Sequence, residues 1–244
     1  MNPKIFALTA VTLATPILSL PSLGAETNAT SLLNGRNLDG IRQPVGEWLT
    51  AEGVLLHKED NRRFSLKAGE GILVNGEKGR TRNLITEHEH GDVEAHIEFV
   101  VPKGSNSGVY FMGRYEIQVF DSWGKPEVKY ADCGGIYQRW MEKEKRGYEG
   151  HAPRTNASRP PGEWQTFDVI FRAPRFDARG RKTANARFVK VVHNGVTIHE
   201  NVEVTGPTRS PAFNDEKAKG PLMFQGDHGP VAYRNVRVKS LTLD

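Results

Sequence analysis

The chain has 244 residues, a formal net charge of +4 at pH 7 and a single cysteine, Cys133. That length supports one good-sized domain or two small ones, and a lone cysteine forbids both an intrachain disulfide and a Cys-x-x-Cys metal site, so stability has to come from a buried core. The basic runs "RNLDGIR", "FRAPRFDARGRK" and "YRNVRVK" are interleaved with acids or lie on strand candidates. With no basic arm and no aromatic–basic ladder, no nucleic-acid partner is expected.

The first element in chain order is a targeting signal. Residues 1–25 carry Lys4, an apolar run from Ile5 to Leu20 and small residues ending at Ala25. This reads as a secretory signal peptide, leaving residues 26–244 as the mature chain, exported and with no membrane insertion. The run is short for a membrane anchor and Pro16 breaks it, and no later stretch is apolar for long enough to span.

Short alternating runs then follow, separated by turn residues. "GVLLHKE" and "GILVNGE" are strand candidates, and "DVEAHIEFVV" sets Val93, Ala95, Ile97 and Phe99 against Glu94, His96 and Glu98. "TFDVIFRAP" groups Phe167, Val169 and Phe171, and the "HNG" at 193–195 predicts a hairpin turn between two β-rich arms. "GPLMFQGDHGPVAYRNVRVKSL" gives two more strands. Residues 139–162 read as a charged insertion loop with room for one helical turn, and "RSPAFNDEKAKG" as a second polar loop. Many short strands with no compositional break predict one antiparallel all-β domain, a sandwich or barrel.

Chemistry concentrates in "YEIQVF", residues 115–120. Tyr115, Ile117 and Val119 share one face of that strand, and Glu116, Gln118 and Phe120 the other. A bulge after Gln118 would bring Asp121 round to join them. The alternative is a solvated strand face. In "QGDHG", Gln225 ends a strand while Asp227 and His228 sit in a glycine-flanked turn, and an imidazole suits proton transfer near neutral pH. The alternative there is a turn whose side chains only cap backbone groups. Tyr137 after "GG", Trp164 in "PPGEW" and Trp123 after "DS" are candidate sugar platforms, or else core and rim aromatics. "HEHGD", residues 88–92, reads as a solvated turn rather than a zinc site, because a third ligand is missing. No cofactor is expected; calcium held by Asp and carbonyl oxygens is compatible with the sequence but not predicted. Cys133 beside "GGIY" reads as a small buried filler, and Asn28 and Asn156 sit in glycosylation-type triplets.

Five ordered stretches combine into a resemblance: "GDVEAHIEFVVPKGSNSGVYFMGRYEIQVFDS", "GGIY", "NASRPPGEWQTFDVIFRAPRF", "VVHNGVTIHENVEVTGPT" and "GPLMFQGDHGPVAYRNVRVKSL". Together they resemble the 3-keto-disaccharide hydrolase family, exported bacterial proteins related in fold to laminarinases and concanavalin-type lectins. The likeness covers nearly all of the mature chain. It implies a concanavalin-like jelly-roll β-sandwich of two curved antiparallel sheets, a periplasmic or extracellular place, and an oxidised oligosaccharide or glycoside as substrate. The implied activity is cleavage of 3-keto-glycosides by elimination and hydration. On that reading Glu116 or His228 is the base or acid, with Asp121 nearby. Gln118, Gln225 and Arg234 bind hydroxyls or the enolate oxygen, and Asn106 and Tyr110 flank them. Laminarinases carry Glu-x-Asp-x-x-Glu where this chain has Glu116-x-Gln118-x-x-Asp121, which argues against ordinary glucan hydrolysis. The rival readings are a non-catalytic sugar-binding module and an ordinary glucan hydrolase.

Overall fold

Period-two alternation decides the architecture. In the computed structural model, which describes residues 29–33 and 35–244, the chain forms sixteen β-strands and no α-helix among the described residues. The signal-peptide reading lies outside the described residues. In chain order the strands are β1 (Thr30–Ser31), β2 (Leu49–Leu56), β3 (Phe64–Val74), β4 (Leu84–His90), β5 (Val93–Val100), β6 (Asn106–Phe111), β7 (Tyr115–Phe120) and β8 (Arg139–Met141). They continue as β9 (Arg146–Tyr148), β10 (Gln165–Arg172), β11 (Arg175–Phe176), β12 (Lys182–Ala184), β13 (Ala186–His193), β14 (Val196–Val204), β15 (Gly220–Phe224) and β16 (Ala232–Ser240).

An eight-stranded antiparallel sheet runs β14-β13-β10-β5-β16-β3-β2, with β1 on β16; a four-stranded sheet runs β4-β15-β6-β7. Ile97 and Phe99 of β5 and Phe167, Val169 and Phe171 of β10 face Val109 and Phe111 of β6, Ile117 and Val119 of β7, and Leu222 and Phe224 of β15 in one core. Aromatic rings close the gap between sheets: Phe111 lies 5.3 Å from Phe171, and Phe224 lies 4.7 Å from Tyr233, centroid to centroid. This is the expected all-β jelly-roll sandwich. The β13–β14 hairpin turns at Asn194 and Gly195, both at positive φ (50° and 82°), as a two-residue turn of this hand requires.

Two expectations are corrected here. The stretch 139–162 contains no helical turn; β8 and β9 pair as a hairpin, with the Arg139 guanidinium 5.0 Å from the centre of its cross-strand partner Tyr148. "HEHGD" is not a solvated turn either, because β4 runs through to His90. That ring is buried, donates from Nδ1 to the Gly91 carbonyl (2.9 Å) and accepts the Met112 N–H at Nε2 (3.2 Å), while His88 is exposed. Among the described residues no group of three or more His, Cys, Asp or Glu is placed to hold a metal ion. No helix among them is long and apolar enough to cross a membrane. Cys133 is buried, which pushes its thiol up to about 12.

Candidate functional site

Because β6 and β7 pair without a register shift, alternate residues of both strands leave the core together. On β7 the outward residues are Glu116 and Gln118; on β6 they are Asn106, Gly108 and Tyr110. The free edge of β7 is covered. Gln118 N–H donates to the Gly135 carbonyl (2.8 Å), Tyr137 N–H to the Glu116 carbonyl (3.1 Å), and Glu116 N–H to Thr208 Oγ1 (3.1 Å). A face that would otherwise be wet is thereby roofed, and Glu116 is only 2% exposed.

The roof leaves a cavity of about 190 Å³. Its floor is Asn106, Tyr110, Glu116 and Gln118; Tyr137, Gln225 and His228 form its walls, and Arg209 and Ser210 complete the rim. Seven of the residues singled out from sequence therefore line one hollow, and the imidazole of His228 and the carboxyl of Glu116 share it.

Burial pushes the Glu116 carboxyl up to about 8, with the nearby Asp227 charge adding to the rise and a Tyr110 hydroxyl within hydrogen-bonding reach pulling against it. Tyr110 is itself raised well above its ordinary range, by burial first and then by the Glu116 charge. Gly108 makes room for the carboxyl: a Cβ there would stand 2.2 Å from Glu116 Oε1. His228 Nδ1 lies 2.5 Å from Asp227 Oδ1. In the tautomer with Nδ1–H that oxygen accepts the hydrogen bond, and Nε2 is the ring's acceptor nitrogen. Two buried side-chain oxygens of residues lining the cavity have no hydrogen-bond partner among the described residues, Asn106 Oδ1 and Gln118 Oε1. The Gln118 Nε2 donates to the Ala131 carbonyl at 3.3 Å, which fixes the amide and leaves its oxygen without a partner.

Four expected site residues stand elsewhere. No bulge follows Gln118, so Asp121 continues past the end of β7, where its carboxylate accepts Gly104 N–H (2.8 Å) and Trp123 N–H (3.3 Å). Arg234 pairs with Glu98 (2.6 Å) and its guanidinium lies 3.9 Å from the Trp164 ring centre. Phe99 and Tyr233 point into the core, so Glu98 and Arg234, one residue away on each strand, project from the opposite face of the eight-stranded sheet. Trp164 packs against the cluster that includes Ala51, Val54 and Val100, on the far side of the sandwich from Glu116. Trp123 is 56% exposed and lies outside the cavity. The glycines before Tyr137 serve packing rather than ligand approach: a Cβ on Gly135 would meet the Tyr130 carbonyl oxygen at 2.2 Å.

Arg209 and Ser210 lie in "TGPTRSPAF", which reads only as a polar loop, and nothing in that stretch signals a site. Asn75 was missed too. It is fully buried, donates to the carbonyls of Gly226 (3.0 Å) and Gly229 (2.7 Å) and accepts Val231 N–H (2.8 Å), clamping the turn that carries His228. Its signal is an asparagine directly after the apolar run "GILV".

The 3-keto-alpha-glucoside-1,2-lyase-like domain family matches residues 28–239. Among solved structures, the chain is similar to a provisionally assigned glycosyl hydrolase from Parabacteroides distasonis ATCC 8503, at 26% identity, covering 88% of this chain and 84% of that one with a TM-score of 0.62. A second provisionally assigned glycosyl hydrolase from the same organism, at 20% identity, 86% and 98% coverage and a TM-score of 0.54, shares the fold. No curated protein matches the chain.

Proposed function

The chain belongs to the 3-keto-alpha-glucoside-1,2-lyase-like family, and on that premise we propose that it is an exported enzyme cleaving 3-keto-glycosides or 3-keto-disaccharides by elimination and hydration. It is a carbohydrate-active, glycoside-cleaving enzyme; the oxidised substrate and the export are the parts proposed. The observation that carries the reading is the meeting of a buried, proton-holding carboxyl, a carboxylate-backed imidazole and two unpaired amide oxygens at one small cavity.

The chemistry follows from a ketone at C3, which acidifies the hydrogen on C2. His228 Nε2 takes that proton and an enolate forms on C2, C3 and the carbonyl oxygen. The enolate collapses, the C1–O bond breaks to leave a C1=C2 double bond, and Glu116, neutral below about pH 8, protonates the departing oxygen. Water then adds across the double bond, its proton to C2 and its hydroxyl to C1. Asn106 and Gln118 accept hydrogen bonds from sugar hydroxyls. Ordinary hydrolysis with two carboxylates flanking C1 finds little support, since among the described residues lining the cavity Glu116 is the only carboxylate.

The test is turnover of a 3-keto-glucoside beside the unoxidised glucoside. Aglycone release from the first and none from the second is expected. Glu116→Gln and His228→Ala should each lower kcat by about 10²–10⁴-fold with melting behaviour retained. No release from any of several 3-keto-glucosides, or full activity in both variants, rejects the reading; tight oligosaccharide binding without turnover would instead mark a binding module.

A further inference from the structure

The cavity's polar groups are of two kinds, and the difference orients the substrate. Asn106 Oδ1 and Gln118 Oε1 can only accept, so they call for hydroxyl groups. A ketone oxygen has no proton to give them and must face donors. The richest donor on the cavity wall is Arg209. Its guanidinium carbon lies 3.9 Å from the centre of the Trp140 ring on the β8–β9 hairpin, and its charge reaches Glu142 on that hairpin as well as Tyr137 on the cavity wall. An exposed arginine ordinarily turns that capacity to a carboxylate or to solvent; here the guanidinium sits over an indole beside the cavity.

Its backbone is fixed on three sides. Arg209 N–H donates to the Gln138 carbonyl (2.8 Å), Arg209 C=O accepts the Tyr110 hydroxyl (3.3 Å), and neighbouring Thr208 is tied to β7 through the Glu116 N–H. The next residue, Ser210, is held at a φ of 59° on the same rim. The positive charge is felt inside the cavity, where it opposes the rise that burial imposes on Tyr137.

We propose that Arg209, held in place by Trp140, takes the C3 carbonyl oxygen of the substrate and bears the negative charge that this oxygen gains when C2 loses its proton. The inference rests on the 3-keto-glycoside reading and deepens it. The C2–H electron pair moves into the C2–C3 bond and the carbonyl π pair onto oxygen, where Arg209 N–H groups meet it; the same pair returns as the C1–O bond breaks. An unoxidised sugar offers no such oxygen, so Arg209 sets the preference for keto substrates while Asn106 and Gln118 hold hydroxyls. Trp140 is a positioning residue, acting through Arg209.

The experiment measures kcat, KM and exchange of the C2 hydrogen for solvent deuterium in a 3-keto-glucoside, for wild type and for Arg209→Ala, Arg209→Lys, Trp140→Ala and Trp140→Phe. Loss of one donor to a developing oxyanion costs about 10²–10³-fold in kcat. Arg209→Ala should show that loss and a parallel fall in C2 exchange, with KM changed far less. Arg209→Lys keeps the charge without the fork and recovers part; Trp140→Phe keeps a ring under the guanidinium and stays close to wild type, whereas Trp140→Ala falls toward Arg209→Ala. Active wild type with an equally active Arg209→Ala overturns this inference alone, as does a variant that loses turnover but exchanges C2 hydrogen at the wild-type rate. Wild type silent on every 3-keto-glucoside overturns the parent reading with it.

Discussion

Glu116 owes its chemistry to a neighbour with no side chain. Directly beneath its carboxyl, Gly108 of β6 leaves the space that Oε1 fills, and a methyl group there would stand 2.2 Å from that oxygen. Gly108→Ala should therefore move the carboxyl rather than break the sheet: kcat on a 3-keto-glucoside falls by at least about 10²-fold while stability drops by roughly 1–3 kcal/mol. Kinetics beside a melting curve check this, and unaltered kcat would place the working carboxyl elsewhere. At this scale the sequence was partly legible. Glu116 and Gln118 stood out because alternation in "YEIQVF" assigns them a face that "YIV" does not need. Asp121 was misplaced because period two locates a residue on a face only while the strand lasts, and β7 ends at Phe120. Arg209 carried no signal at all, since a charged residue in a polar loop looks the same whether it faces solvent or a cavity.

The elements that hold the site are loops fastened to strands by buried polar groups. The turn bearing His228 is gripped by Asn75 through three hydrogen bonds, by Asn83 Oδ1, which accepts Gly226 N–H (3.0 Å), and by Ser105, whose hydroxyl donates to the Pro230 carbonyl (2.6 Å). The rim loop is fastened to the β6–β7 turn: Arg114 makes an ion pair with Asp215 (2.8 Å), Tyr115 donates its hydroxyl to Glu216 (2.6 Å), and Ala212 N–H reaches the Gly113 carbonyl (2.8 Å). Asn75→Ala leaves buried backbone groups unpaired, at a cost of about 2–4 kcal/mol, or roughly 5–15 °C in Tm for a chain this size. It should also lower kcat more than KM, because the imidazole loses its fixed position. Calorimetry with steady-state kinetics tests this, and an unchanged Tm would show that the turn is held without Asn75. Strands and the "HNG" hairpin were readable one by one from alternation and turn chemistry. Which strands share a sheet was not, because pairing partners are set by contacts distant in the chain; Trp164 and Arg234 were assigned to the site for that reason and belong to the opposite face.

The whole molecule should respond to pH from both sides. Burial lowers His90 to about 4, against a weaker pull from the Gly91 carbonyl; it lowers His199 to about 4, opposed by the Gly134 carbonyl; and it lowers His193 to about 3, with the Arg159 charge adding to the fall. The unfolded chain binds these protons more readily, near the ordinary value of 6.5, so the stability they contribute is complete above that pH and is lost as pH falls toward 4, on the order of 3 kcal/mol for each imidazole at the limit. Glu116 has the opposite sign. Its folded value of about 8 lies above the ordinary 4.5, so its contribution is complete below pH 4.5 and is lost as pH rises toward 8. Tm should peak between these limits, and Glu116→Gln should flatten the alkaline decline while leaving the acid limb intact; a variant as alkali-sensitive as wild type would mean that the carboxyl is not buried with its proton. On the proposed mechanism such a cost is tolerable, because elimination needs a neutral acid beside the departing oxygen. The claim that joins these scales is elimination inside this cavity. Turnover of a 3-keto-glucoside in D₂O, quenched early, tests it most directly: the account predicts one solvent deuterium at C2 of the released 3-keto sugar, and a product with its original C2 hydrogen would contradict it.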